Sequence, residues 1–374
     1  MNDSDGARKL NHKYLRGAVV AISKETENRK LEHLKICMEK NVEFKSKTPG
    51  FDEIELIHHA LPELDYQKLD ITTKFLGRQF DFPILINGMT GGHPVSKKIN
   101  NLLAQIALNF NIPIEVGSQR AALENSALEE TYRVVRDVSS DIFVIGNIGA
   151  AQLVSGYGIK EVEKCIKMID ANALAIHLNP LQESLQKEGN LNFQNLLGTL
   201  KKLIKQTSIP IIIKETGSGV SESDLKLLKS IGVEYIDVGG AGGTSWAAIE
   251  SFRHEEDAEL SEVAKAFWDW GIPTAVSTVI AAKLGFKVIA SGGIRTGIDI
   301  AKAIACGADF VGIALPLLKN AYSENLGALV IQMNILVREL KTCMFLTKSA
   351  HIEELKSAEK IFFGRIKQWV ESFR

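Results

Sequence analysis

Ser291 to Leu315 reads SGGIRTGIDIAKAIACGADFVGIAL. An apolar run ends in two glycines, a helical stretch GIDIAKAIA follows and stops near Gly307, and a second β-branched run, DFVGIAL, begins at residue 309. Strand, helix and strand in that order form a βα unit with the next strand attached, and a glycine is what a helix C-terminus favours. Gly292 and Gly293 let the backbone approach an anion. The helix after them aims its free N–H groups and partial positive charge at the same point. The pattern marks a phosphate site and is compatible with flavin mononucleotide; a tight turn that merely contains glycines is the plain alternative.

Working outward, the same unit recurs from residue 82. The runs are PILIN (83–87), IPIEVG (112–117), IFVIGN (142–147), ALAIHL (173–178), IPIIIKE (209–215), EYIDVGG (234–240), KVIASGG (287–293) and DFVGIAL (309–315). Continuous apolar runs of this length suit parallel strands buried on both faces. Eight such units over about 250 residues have the size of a (β/α)8 TIM barrel. The stretch GIPTAVSTVIAAKLG (271–285) could add a ninth strand, but Pro273 at a first helical position favours a helix. An open doubly wound sheet is the rival, weakened because no G-x-G-x-x-G follows the first strand. KETENRKLEHLKICME (24–39) reads as a helix before the barrel, and the tail as two helices over 326–345 and 350–372. Residues 1–22 read as a flexible extension, and 23–374 as one barrel domain with N-terminal and C-terminal helical additions.

The chain has 374 residues, 24% charged and 45% hydrophobic, as a globular protein should. With 44 Lys+Arg against 45 Asp+Glu the net charge is −1, so no global field draws in nucleic acid. Cys37, Cys165, Cys306 and Cys343 form no C-x-x-C pair, which argues against zinc or a disulfide frame. GAVVAI (17–22) is too short for a signal core, and no apolar run reaches membrane-spanning length. The expectation is a cytoplasmic protein with no nucleic-acid or membrane partner.

A barrel builds its site from the loops after its strands. Those ends read NGMTGG, GSQRAA, NIGA, HLNPLQE, KETGSG, GGAGGT, SGGIRTG and ALPLL. One polar loop means little. Nearly all of them polar or glycine-rich at one end imply a large ligand. Lys214 has three readings: a Schiff-base amine, a cation beside a flavin ring, or a salt-bridge partner of Glu215 or another carboxylate. In NRKLEH (28–33), Arg29 and Lys30 are either a solvated helix face or a pair of cations for a diphosphate, if that helix reaches the mouth. In HLNPLQE, Pro180 starts a helix. Asn179 could be its N-cap, with Glu183 favoured by the helix dipole. A carboxylate beside a phosphate site instead suggests a bridging Mg2+.

The set NRKLEH, GMTGG, VGSQR, HLNPLQE, KETGSGVS, GGAGGTSW, SGGIRTG and GIALP, in this order between residues 27 and 345, resembles the FMN-dependent type 2 isopentenyl-diphosphate isomerase family. The resemblance implies FMN, Mg2+ and isopentenyl and dimethylallyl diphosphates as ligands, NADPH as the prior reductant of the flavin, and a homo-oligomer of four or eight chains. It implies that Arg29 and Lys30 hold the diphosphate with Ser118, Gln119 and Arg120. It assigns Met89, Thr90, Gly91, Ser118, Asn147, Lys214 and Thr244 to FMN, with Gly293, Ile294, Arg295, Ala314 and Leu315 at its phosphate. His177 and Gln182 would face the substrate, and Glu183 would bind the metal. Gln182 is too weak a base to act alone and is expected to orient or relay a proton; His177 and Lys214 complete the expected catalytic set.

Other chemistries fit less well. A hydroxy-acid oxidase would need a His–Arg pair after the sixth strand, where GGAGGTSW has neither. An inosine-monophosphate-dehydrogenase-like enzyme would need a cysteine at a strand end. A Schiff-base lyase through Lys214 and a non-catalytic phosphate-binding barrel stay open.

Overall fold

Eight apolar runs can satisfy their backbone groups without leaving an edge only by closing on themselves. They do so in the computed structural model, which describes residues 24–373. The strands are β1 (Ile84–Ile86), β2 (Ile114–Glu115), β3 (Val144–Gly149), β4 (Ala173–Leu178), β5 (Ile211–Glu215), β6 (Tyr235–Asp237), β7 (Lys287–Ser291) and β8 (Phe310–Ile313). Each pairs in parallel with the next, and β8 returns to β1. All eight expected strands are present, so the closed barrel stands and the open sheet does not.

Side-chain parity then separates two environments. On β4, Leu174 and Ile176 pack outward with the helices, whereas Ala173 and Ala175 join an interior cluster with Leu85, Ile145, Ile212, Ile289 and Phe310. Successive strand residues face opposite sides, so the next inward positions lie one layer higher. There β3 carries Asn147, β4 His177, β5 Lys214, β6 Asp237 and β7 Ser291. Register places His177 beside Lys214 and Lys214 beside Asp237. The barrel is thus apolar below and polar above. A hairpin of Thr73–Phe75 and Arg78–Phe80 closes the apolar end, its Phe75 ring 4.7 Å from Phe310 and Phe80 5.5 Å from Phe143.

Residues 24–39 are helical, as the sequence suggests. The segment after them is sewn to the loop beyond β6: Phe44 N–H donates to Gly243 O at 2.9 Å, Ser245 N–H to Val42 O at 2.8 Å, and Trp268 Nε1–H to Glu43 O at 2.9 Å. That stitching brings helix 24–39 to the barrel mouth.

Two expectations need correction. Residues 271–285 contain a helix, Thr274–Lys283, but Pro273 occupies its N-cap and not a first helical position. Residues 350–372 are not one helix. They form a helix Ile352–Lys356, a strand Lys360–Phe362 and a helix Gly364–Ser372. The strand exists because Ile54–Leu56, distant in sequence, offers it an antiparallel edge. Gly364 then turns the chain at φ +50°, where a Cβ would lie 2.7 Å from the Glu53 carboxylate. The extension expected over residues 1–22 lies outside the described residues.

Candidate active site

The C-terminal ends of the strands and helix 24–39 enclose a cavity of about 250 Å3. Nearly every side chain singled out in the sequence borders it: Arg29, Lys30, Met89, Thr90, Gly91, Ser118, Arg120, Asn147, His177, Gln182, Glu183, Lys214, Thr244, Gly293, Ile294, Arg295, Ala314 and Leu315. Gln119 does not. It is fully buried; its carboxamide donates to Cys165 O at 2.9 Å and accepts from Asn147 N–H at 3.0 Å. Those main-chain groups need partners inside the fold, and Gln119 supplies them. Its side chain is therefore taken out of the diphosphate set.

Cations gather at the mouth. Lys30 donates to the Ser118 carbonyl at 2.8 Å, a neutral partner, and burial together with Arg29 and Arg120 lowers it to about 7. Arg29 reaches Glu188 at 3.3 Å, and Arg120 reaches Glu124 at 2.7 Å. Three cations bordering one part of the cavity are what recognition of a multiply charged anion requires.

The wall from β4 answers the N-cap question. Asn179 occupies the N-cap of helix Pro180–Leu185 but makes no capping hydrogen bond. Its amide donates instead to Gln182 Oε1 at 3.1 Å and Glu183 Oε1 at 3.2 Å, and its own Oδ1 is buried without a partner. Glu183 Oε2 accepts from Asn190 N–H at 2.7 Å. The polar residues of this stretch thus hold one another in place along the cavity wall. Gln182 and Gln186 also donate to Glu250 Oε1, at 3.4 and 2.7 Å, and His33 Nε2 lies 3.0 Å from the same atom. Burial pushes Glu250 up, but His33, Gln186 and Arg253 outweigh it and hold the carboxyl at about 2. The sequence reading missed Glu250.

His177 is lowered to about 3 by burial, then by Lys214 and Lys30, and is a neutral imidazole at physiological pH. Its Nδ1 is 2.8 Å from Asn147 Oδ1, while the Asn147 amide donates to Glu115. The carboxamide is committed as donor to Glu115, so His177 carries its proton on Nδ1. Lys214, 6% exposed, lies 2.9 Å from Glu115 and 3.7 Å from Asp237. Burial works against its charge, and the two carboxylates overcome it and raise the ammonium. Of the salt-bridge reading, which named Glu215 or another carboxylate, the second form holds; the Glu215 carboxylate instead accepts N–H groups of Thr216, Gly217 and Ser218 and shapes the loop after β5.

The loop after β7 is open to an anion for steric reasons. Gly292 and Gly293 have φ of +104° and +78°, and a Cβ on Gly293 would sit 2.7 Å from Gly242 O. Arg295 borders the same region, with Glu43 2.6 Å from its guanidinium.

The family model for FMN-dependent dehydrogenases matches residues 182–361. An isopentenyl-diphosphate delta-isomerase of Methanoregula boonei is 47% identical, covering 92% of this chain and 96% of the relative. One from Pyrococcus furiosus is 45% identical over 92% and 88%. The chain belongs to the isopentenyl-diphosphate delta-isomerase family. Solved structures share the fold of this chain: the flavin-binding domain of baker's yeast flavocytochrome b2 superposes with a TM-score of 0.62 at 18% identity, covering 86% of this chain and 80% of that one. A putative lactate oxidase of Pediococcus acidilactici does so at 0.62 and 13%, over 92% and 94%. These likenesses concern the fold alone.

The residues present fit a flavin nucleotide and leave oxygen groups that could hold a hard cation. Backbone after β7 and β8 can take a phosphate, and Thr90, Asn147 and Lys214 border the interior. Beside Glu183, the unpartnered Asn179 Oδ1 adds oxygen character. Among the described residues no three His, Cys, Asp or Glu side chains group as a complete metal cage. Glu183 and the Asn179 oxygen could serve a hard cation such as Mg2+, which keeps waters and substrate phosphate oxygens among its ligands.

Proposed function

We propose that the chain interconverts isopentenyl and dimethylallyl diphosphate, with reduced FMN and Mg2+ bound and no net redox change. The observation that carries this reading is the charge layout of the cavity: Arg29, Lys30 and Arg120 at the mouth, and neutral His177 and Gln182 within. The diphosphate is held by the mouth cations, and Mg2+ on Glu183 would offset its remaining charge. Met89, Thr90, Gly91, Ser118, Asn147, Lys214 and Thr244 would hold FMN, with its phosphate on Gly293, Ile294, Arg295, Ala314 and Leu315. When reduced, FMN supplies an electron-rich ring and an exchangeable proton to a reaction that adds a proton at C4 and removes one from C2.

The chain's own groups set the conditions. Helix 24–39 covers the mouth and excludes water, which would otherwise capture a tertiary cation. Glu250 Oε1 accepts the Gln182 amide, which orients that carboxamide toward the interior. Neutral His177 presents Nε2 as an acceptor without adding positive charge. NADPH would serve only to reduce the flavin beforehand. The same reading takes the protein as a cytoplasmic homo-oligomer of four or eight chains.

The alternatives lose ground on specific groups. A Schiff-base amine must be neutral, and two buried carboxylates keep Lys214 charged. A hydroxy-acid oxidase needs a His–Arg pair in a loop that instead presents Thr244 and Trp246 to the cavity. Anaerobic turnover with a limiting, measured amount of NADPH tests the proposal. Many products per reductant are expected; one equivalent consumed per product would restore the oxidoreductase reading.

A further inference from the structure

Glu115 and Asp237 do not border the cavity, yet both lie against Lys214, which does. They are 4% and 0% exposed. Each is held as a hydrogen-bond acceptor on several sides. Glu115 receives Lys214, Gly88 N–H at 3.0 Å and the Asn147 amide; Asp237 receives the Asn87 amide at 2.9 Å, Gly239 N–H at 3.2 Å and the Ser291 hydroxyl. One ammonium thus faces two carboxylates. If both are ionised the cluster carries a net negative charge; if Glu115, which burial pushes upward, takes a proton, it is neutral. Adjacent His177 adds no charge. In neither state does this part of the barrel present a net cation.

We propose that Glu115 and Asp237 are positioning residues that cancel the Lys214 charge, so that the bound flavin's reduced ring keeps its electron density for a substrate cation. The inference rests on the FMN reading above. A free ammonium beside the ring would favour the reduced, more negative flavin over the oxidised one and raise its potential. Compensating it does the reverse, which leaves the reduced ring electron-rich for a reaction whose transition state is positive.

The test is the midpoint potential of FMN bound to the full-length wild type, Asp237→Asn and Glu115→Gln, titrated with dithionite against a reference dye. Removing one carboxylate charge is expected to favour reduced over oxidised flavin at least about tenfold, a shift of about +30 mV for a two-electron couple. Lys214→Met should move the potential the opposite way. The Asn87 amide faces Asp237 and its Oδ1 is buried without a partner, so a flip of that carboxamide lets it accept from the new amide in Asp237→Asn. Should that variant still fail to fold, Glu115→Gln carries the test, compared with the wild type up to alkaline pH, where Glu115 is ionised and the substitution removes its charge. Unchanged potentials in a variant that binds FMN would overturn the proposal. Failure of the wild type to bind FMN would instead overturn the flavin reading on which it rests.

Discussion

Lys30 turns the architecture of the mouth into a pH profile. Its ammonium is depressed from 10.5 to about 7, first by burial and then by Arg29 and Arg120. A diphosphate is bound by the charged form, and its own second ionisations, near pH 6, are largely complete above neutrality. Between pH 7 and 9 the unliganded protein therefore loses the proton that binding must restore. With a pKa of about 7 the apparent Kd scales as one plus the ratio of neutral to charged lysine, a factor of about 2 at pH 7 and about 100 at pH 9. The expected weakening is about fiftyfold, or about 2.3 kcal/mol. Calorimetric titration with isopentenyl diphosphate across this window is the assay. Lys30→Arg, which stays charged, should flatten the profile. A wild-type Kd constant from pH 7 to 9 would refute the reasoning, because Lys30 would then be charged throughout or out of contact with the diphosphate. Stability should move the other way in the unliganded protein. The unfolded chain holds this proton more tightly than the folded one, so the penalty is complete below pH 7 and fades between pH 7 and 10.5.

Arg29→Ala should raise KM roughly ten- to 150-fold with kcat little changed, since its contact is shared by ground and transition states; a normal KM would detach helix 24–39 from substrate binding. Glu183→Gln should demand far more Mg2+ and recover partly when it is supplied, whereas Gln182→Ala should lower kcat at every Mg2+ concentration while retaining FMN. If both variants only melt earlier and turn over normally at saturating Mg2+, the wall formed by this stretch does not touch substrate. Gln119→Ala should cost about 1–3 kcal/mol of stability, measured by urea unfolding, with KM unaltered; a raised KM would return Gln119 to the diphosphate set.

The barrel was legible because each βα unit announces itself locally, through an apolar run and the glycine or proline that ends it. Most of the site was legible for a related reason: in this fold the residue just past a strand borders the mouth, so position along the chain translates into position in space. What stayed hidden depended on partners far away in sequence. The strand Lys360–Phe362 is strand only because Ile54–Leu56 is beside it. Glu250, inside the apolar-looking helix Trp246–Arg253, acquires meaning once His33 and Gln182 converge on its carboxylate. Gln119 shares a motif with Ser118 and Arg120, and motif membership does not say which way a side chain points.

Glu115 and Asp237 were hidden for a different reason. Read as apolar runs buried on both faces, IPIEVG and EYIDVGG give no role to their acids, yet both carboxylates turn inward against Lys214. The whole-chain charge of −1 gave no hint of this, because it averages over a segregated arrangement. Cations are collected at the mouth, where a diphosphate needs them, and compensating carboxylates lie deeper, around Lys214. Such a gradient suits an enzyme that grips an anion at one end of its substrate and tolerates positive charge at the other. On the proposed reading, the two ends of the cavity solve opposite electrostatic problems, and the polar layer of the barrel keeps them apart.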